Sequence, residues 1–132
     1  AVVLAVDRLH NGMAIRFIAR GRSMWPFVLD GDRVTIVPLY RHPEPGQIVL
    51  AIRDDSILLH RVIAIGSDDR ILTRGDALPT DDGWQDSNAV VGRLVAIHRN
   101  GRIVAVPAGL RTRLMSTFLG RCRRSVRAFR SR

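Results

Sequence analysis

The chain has 132 residues, 46% of them apolar, with one cysteine and a formal net charge of +9. That length fits a single domain able to bury a core, and the apolar fraction excludes a disordered chain. The lone Cys122 excludes an internal disulfide framework and a cysteine-built zinc site, and no residue pattern calls for a metal or another cofactor. All 21 basic residues are arginine. Eight of them, at 111, 113, 121, 123, 124, 127, 130 and 132, fall in residues 110–132, where there is no acid. Residues 1–109 carry 13 arginines against 12 acids, so this body is nearly neutral and the basic character belongs to the tail.

In chain order, "AVVLAV" comes first and ends at Asp7, far short of the roughly 20 apolar residues of a membrane-spanning helix. It also lacks the positive start of a signal peptide. Short β-type runs then recur between turn signals: 13–19, 33–39, 47–53, 57–65, 70–74, 90–99 and 102–106. Between the first two lies "GRSMWPFVLDGD" (21–32), where an apolar stretch is closed by the turn pair Gly31-Asp32. Pro26 fixes its own φ and stiffens the link that presents Ser23 beside Trp25, Phe27, Val28 and Leu29. Asn100-Gly101 is the strongest hairpin signal, since both residues tolerate φ > 0. Six or seven short strands so spaced predict an antiparallel sandwich or a partly open barrel.

Beyond Pro107 and Gly109 the period changes. Leu110, Leu114, Met115, Phe118, Cys122, Val126 and Phe129 recur at three- and four-residue steps with arginines between them, which predicts a basic amphipathic helix over 110–132. Such a helix packs on the sheet with solvated arginines, or lies on an anionic membrane surface. Nucleic acid is not the expected partner, because a basic patch alone is only an electrostatic footprint.

Three segments carry groups of complementary chemistry. Ser23 opens the first, His60 stands in the strand "ILLHRVIAI", and "LTRGDALPTDD" supplies Asp76, Asp81 and Asp82. Strict alternation sets His60 on one face with Leu58, Val62 and Ala64. A neutral hydroxyl needs a neighbouring base to act as a nucleophile, and that base needs a group to hold its tautomer and stabilise its cation. Serine, histidine and aspartate in one pocket would do this. Each residue alone is also an ordinary turn or core residue.

The series "GRSMWPFVLDGDRVTIVPL", "PGQIVLA", "LLHRVIAI", "LTRGDALPTDD" and "VVGRLVAI", spread over roughly residues 20–98, resembles the signal peptidase family in order and spacing. The resemblance implies coiled antiparallel sheets of the LexA/signal-peptidase type and a serine endopeptidase that cuts precursor peptides after small residues. The base in that superfamily is usually lysine, but the endoplasmic-reticulum-type branch uses histidine. With no lysine in the chain, the resemblance points to that branch. Its acidic pattern, Gly-Asp, five residues, then Asp, falls on Asp76 and Asp82, with Asp82 as the His60 partner and Asp76 as a supporting acid. Relatives often carry an oxyanion-binding serine two residues before the nucleophile, where this chain has Gly21, and commonly an aspartate where it has Gln47.

The expectation is therefore a mainly β catalytic domain over 1–109 followed by a basic helix over 110–132. It would cleave a leader or signal-type precursor with Ser23, His60, Asp82 and Asp76, and Met24, Trp25 and Pro26 would shape the substrate groove. With no anchor segment in the chain, it is expected in the cytoplasm or peripherally at a membrane. Two readings compete: a non-catalytic peptide-binding or dimerisation module of the same fold, and a basic nucleic-acid or membrane-surface binder. Self-cleavage of the repressor kind would need a cleavable loop upstream, and the 22 residues before Ser23 offer no Ala-Gly site.

Overall fold

The computed structural model describes residues 2–106. The predicted helix over 110–132, and with it Cys122 and the proposed boundary at 109, lies outside the described residues.

Among the described residues one α-helix and eight strands follow in order, besides two single 3₁₀ turns: α1 (Val2–His10), β1 (Ile15–Ile18), β2 (Arg33–Pro38), β3 (Ile48–Arg53), β4 (Ser56–Ile65), β5 (Ile71–Arg74), β6 (Trp84–Gln85), β7 (Val90–Arg99) and β8 (Arg102–Val104). The strands form one antiparallel sheet in the order β1-β2-β7-β3-β4-β5-β6, with β8 also paired to β7. The fold is thus mainly β, a sheet curled into a half-barrel. Three register breaks help it curl. Val95 is extra against Thr35/Ile36, Val91 against Leu50/Ala51, and Ile63 against Thr73/Leu72. An extra residue on one strand bends it and sharpens the local twist.

The bulge at Ile63 also corrects the simple alternation of β4. His60 and Val62 share a face, as period two requires, but beyond the bulge it is Ile65 rather than Ala64 that is buried with Val62. The centre of the sheet is buried on both sides. On β3, Ile48 and Leu50 join the larger cluster with Leu9, Met24, Val28, Ile36 and Leu94, whereas Val49 and Ala51 join Val62, Ile65, Ile71 and Val90. Two-sided burial explains why "QIVLAIR" is a continuous apolar run and not an alternating one.

Asn100 and Gly101 make the two-residue link between the paired Arg99 and Arg102, with φ of 52° and 73°. Positive φ at both central residues matches the twist of a tight hairpin. Asp54 and Asp55 do the same between β3 and β4, at 47° and 63°. Two elements lay outside the sequence expectation. The helix α1 reads as a short apolar run, yet it packs Leu9 into the larger cluster. The strand β6 has only two residues, too few for any pattern, and is defined by its pairing with β5.

Candidate active site

The segment between β1 and β2 is a chain of tight turns. Trp25, Phe27 and Val28 donate their backbone N–H groups to Arg22 O, Met24 O and Met24 O. Both ends of this segment are tied down. At its far end Asp32, 2% exposed, accepts from Arg99 Nε at 2.8 Å and Nη2 at 2.7 Å, and from the Leu29 N–H at 2.8 Å. The hydrogen bonds from Arg99 hold the Asp32 carboxyl below the usual carboxylate range, against the opposing effect of burial. At the near end the Ser23 carbonyl accepts from the Ala77 N–H at 2.9 Å, so the loop after β5 docks onto the serine.

His60 sits in the first half of β4, opposite Val49, and is 4% exposed. Asp82 follows β5, and its N–H donates to Thr73 O at 2.8 Å, which returns the loop to the strand it left. The three groups converge. His60 Nε2 is 3.1 Å from Ser23 Oγ, and His60 Nδ1 is 2.6 Å from Asp82 Oδ2. Because a carboxylate only accepts, Nδ1 carries the proton of the neutral ring, and Nε2 is left to accept from the Ser23 hydroxyl. The His60 and Asp82 side chains are 5% and 8% exposed, so little water competes for these bonds.

Asp76 is placed differently. Its oxygens accept from Arg61 Nε at 2.8 Å and Nη2 at 2.7 Å, and its N–H donates to Met24 Sδ at 3.4 Å. Arg61 also donates from Nη1 to Gly46 O at 2.8 Å and lies 5.6 Å from the centre of the Phe27 ring. Asp76 therefore gives its carboxylate to Arg61 and not to His60, and it fixes the loop that carries Gly75 and Ala77. Gly75 is the close approach in that loop. A Cβ there would lie 2.6 Å from Ser23 O, which no side chain can do without a shift of the backbone, and a tight 3.1 Å from His60 Nε2.

A cavity of about 250 Å³ opens beside Ser23 and His60. Its walls are residues 17–21, running off the end of β1, and Ile57–Leu59 of β4, with Met24, Val28 and Leu50 also lining it. Of the three expected groove residues, Met24 alone is in this lining, buried at 4%. Trp25 is 58% exposed, and neither it nor Pro26 lines the cavity. Among the described residues no group of three or more His, Cys, Asp or Glu side chains is arranged to hold a metal ion. Also among them, no helix is long and apolar enough to cross a membrane.

Four residues that sequence reasoning passed over help build the site: Gly75, Arg61, Thr73 and Gln85. Gly75 and Arg61 stand directly beside Asp76 and His60, and that adjacency was the only available signal. Thr73 and Gln85 carried none, being an ordinary strand threonine and a glutamine in a two-residue strand. Thr73 Oγ1 is 2.6 Å from Asp82 Oδ2, and Gln85 Nε2 is 2.7 Å from Thr73 Oγ1. No protein-family model and no characterised protein matches the chain.

Proposed function

We propose that this protein is a serine endopeptidase in which Ser23 is the nucleophile, His60 the general base and acid, and Asp82 the group that holds the imidazole. The observation that carries the reading is the contact sequence from Ser23 Oγ to His60 Nε2 and from His60 Nδ1 to Asp82 Oδ2, at 3.1 and 2.6 Å. In the reaction Ser23 Oγ attacks the scissile carbonyl while its proton passes to His60 Nε2, and Asp82 stabilises the resulting imidazolium. His60 then gives that proton to the leaving amine, and a water deprotonated by the same imidazole releases the acyl group. The Ser23 N–H, which makes no hydrogen bond among the described residues, is the backbone donor available to the developing oxyanion.

The substrate is a peptide taken in extended form. On its two walls the cavity has β1, bonded to β2 on one side, and the Ile57–Leu59 stretch of β4, whose pairing with β5 begins only at Arg61. A strand laid along either wall would gain backbone hydrogen bonds and direct alternate side chains into the apolar floor. The resemblance to the histidine-using signal peptidases supplies the substrate class: a leader or signal-type precursor cut after small residues. Residues 110–132 would hold the enzyme near an anionic membrane surface through their eight arginines. The reading as a non-catalytic binding module requires His60, or both Asp76 and Asp82, to be out of reach of the Ser23 site, and the 3.1 Å Ser23–His60 and 2.6 Å His60–Asp82 contacts argue against it.

The test is turnover of a leader-type peptide by purified Ser23→Ala and His60→Ala proteins. Each should lose about 10⁶-fold in kcat while keeping the wild-type circular dichroism spectrum, because such groups act as a unit. A serine-reactive phosphonate should label Ser23 in the wild type and fail to label the His60→Ala protein. Residual cleavage above about 1% in either variant would sink the assignment.

A further inference from the structure

The hydrogen-bonded series does not stop at Asp82. The same Asp82 Oδ2 that accepts from His60 Nδ1 is 2.6 Å from Thr73 Oγ1, and that hydroxyl is 2.7 Å from Gln85 Nε2. Thr73 is 1% exposed, so no solvent substitutes for its partners. The direction of every bond follows from one fact, that a carboxylate only accepts. Thr73 must donate its single proton to Asp82, its oxygen must then accept, and Gln85 must present its amide N–H₂ to it. The orientation is held although Gln85 Oε1 is left buried without a partner. A buried polar atom left unpaired is costly, and it persists where neighbouring groups dictate the arrangement.

The backbone supplies the register. Thr73 lies across from Val62, two residues beyond His60 and on the same face of β4. Gln85 reaches Thr73 because the two-residue β6 pairs Gln85 with Ile71 and Trp84 with Leu72. The Asp82 N–H is bonded to Thr73 O, so strand and loop are fastened to each other by backbone and side chain together.

We infer that Thr73, oriented by Gln85, is a positioning residue for the triad carboxylate: its hydroxyl takes up part of the negative charge on Asp82 Oδ2 and so sets the strength of the Asp82–His60 hydrogen bond. Two donors on one carboxylate oxygen compete for the same electron density. Removing the hydroxyl makes that oxygen a stronger acceptor toward His60, while the backbone bond from Asp82 N–H keeps the carboxylate in place. The stronger bond at Nδ1 makes the imidazole more basic, so the Nε2–H of the imidazolium becomes a weaker acid toward the leaving amine and that proton transfer slows. The consequence for turnover rests on the proteolytic reading; the hydrogen-bonding itself does not.

The experiment follows the low-field proton of the His60–Asp82 bond and the Asp82 carboxyl carbon resonance by NMR in the full chain. It compares wild type with Thr73→Val, Thr73→Ser and Gln85→Leu. The Thr73→Val protein should shift both resonances, the proton to lower field, and Thr73→Ser should restore wild-type positions. Gln85→Leu should shift them the same way by less, and it keeps the test open should Thr73→Val not fold. Against a leader-type peptide, Thr73→Val should lose about 10-fold in kcat with KM unchanged, the worth of one hydrogen bond to a charged group, and Thr73→Ser should recover it. Unmoved resonances in both Thr73→Val and Gln85→Leu, or equal shifts in Thr73→Val and Thr73→Ser, would overturn the inference. Shifts of the expected kind in a protein that cleaves no peptide would leave the relay standing and remove the protease.

Discussion

The segment carrying Ser23 is anchored at its two ends by unlike means. At Asp32 the anchor is a carboxylate gripped by two nitrogens of Arg99, a cation at every working pH, and the result is a fixed strut. At Ser23 the backbone is held by one N–H from Ala77, and the side chain meets an imidazole that can take a proton and return it. Asp76 belongs with the first kind and Asp82 with the second, although only five residues separate them in one loop. Asp82 Oδ1 also lies 3.9 Å from Nη1 of the half-exposed Arg53, beyond hydrogen-bond length, so its close partner is the imidazole; an aspartate hydrogen-bonded to arginine holds architecture, and one hydrogen-bonded to histidine holds a titratable ring. The difference lies in the partner.

That contrast can be broken from either side. The largest effect is expected for Asp82→Asn, which keeps the shape but offers His60 the wrong tautomeric partner. Its kcat should fall by about 10⁴, read by peptide turnover, with little change in melting temperature. Gly75→Ala comes next. The new methyl group collides with Ser23 O and crowds His60 Nε2, so the backbone that carries the hydroxyl must shift, and turnover should drop by about 10²-fold, since a shift of about 1 Å in a reacting group costs that much. A fully active Gly75→Ala enzyme would show that the loop gives way without disturbing the imidazole.

The arginine-bound acids should respond in stability. Asp76→Asn leaves Arg61, 5% exposed at its side chain, without its carboxylate, and should cost about 3 kcal/mol of unfolding free energy by urea titration. Asp32→Asn should cost less, about 2 kcal/mol, because the Arg99 side chain is 28% exposed and can turn to water. Acid sharpens the comparison. The folded-state carboxyl of Asp32 is held below its unfolded value, so its contribution is complete above the ordinary carboxylate range and disappears as pH falls through the lowered value. The urea midpoint should therefore decline as pH falls below about 5, and less steeply in Asp32→Asn. An equal decline in both proteins would assign the acid sensitivity to other groups.

The strands other than β6 were legible to within a residue or two because their apolar runs are bounded by turn residues that admit positive φ, as at Asn100-Gly101. The helix α1 was not, since nine residues give too few turns for a period to stand out, and its identity depends on Leu9 finding the core. At the candidate site, Ser23, His60 and Asp82 were legible as chemical types at a familiar spacing. Met24 lines the cavity while Trp25 and Pro26 do not, because adjacency to Ser23 in sequence says nothing about which way a chain of tight turns points. Asp76 was separated from Asp82 only by the resemblance. Nothing in "GDALPTDD" states which acid meets Arg61 and which meets His60.

By itself the amino-acid sequence determined the inventory: a nearly neutral β-rich body, a tail whose basic residues are all arginine, and Ser23, His60 and several carboxylates in segments with turn chemistry of their own. Only the tertiary structure decided who meets whom. Local propensity acts over a few residues, whereas the Ser23–His60 and His60–Asp82 contacts span 37 and 22 positions. Those separations are closed by the pairing of Val62 with Thr73, by the backbone bonds from Asp82 to Thr73 and from Ala77 to Ser23, and by a loop with room for no side chain at Gly75.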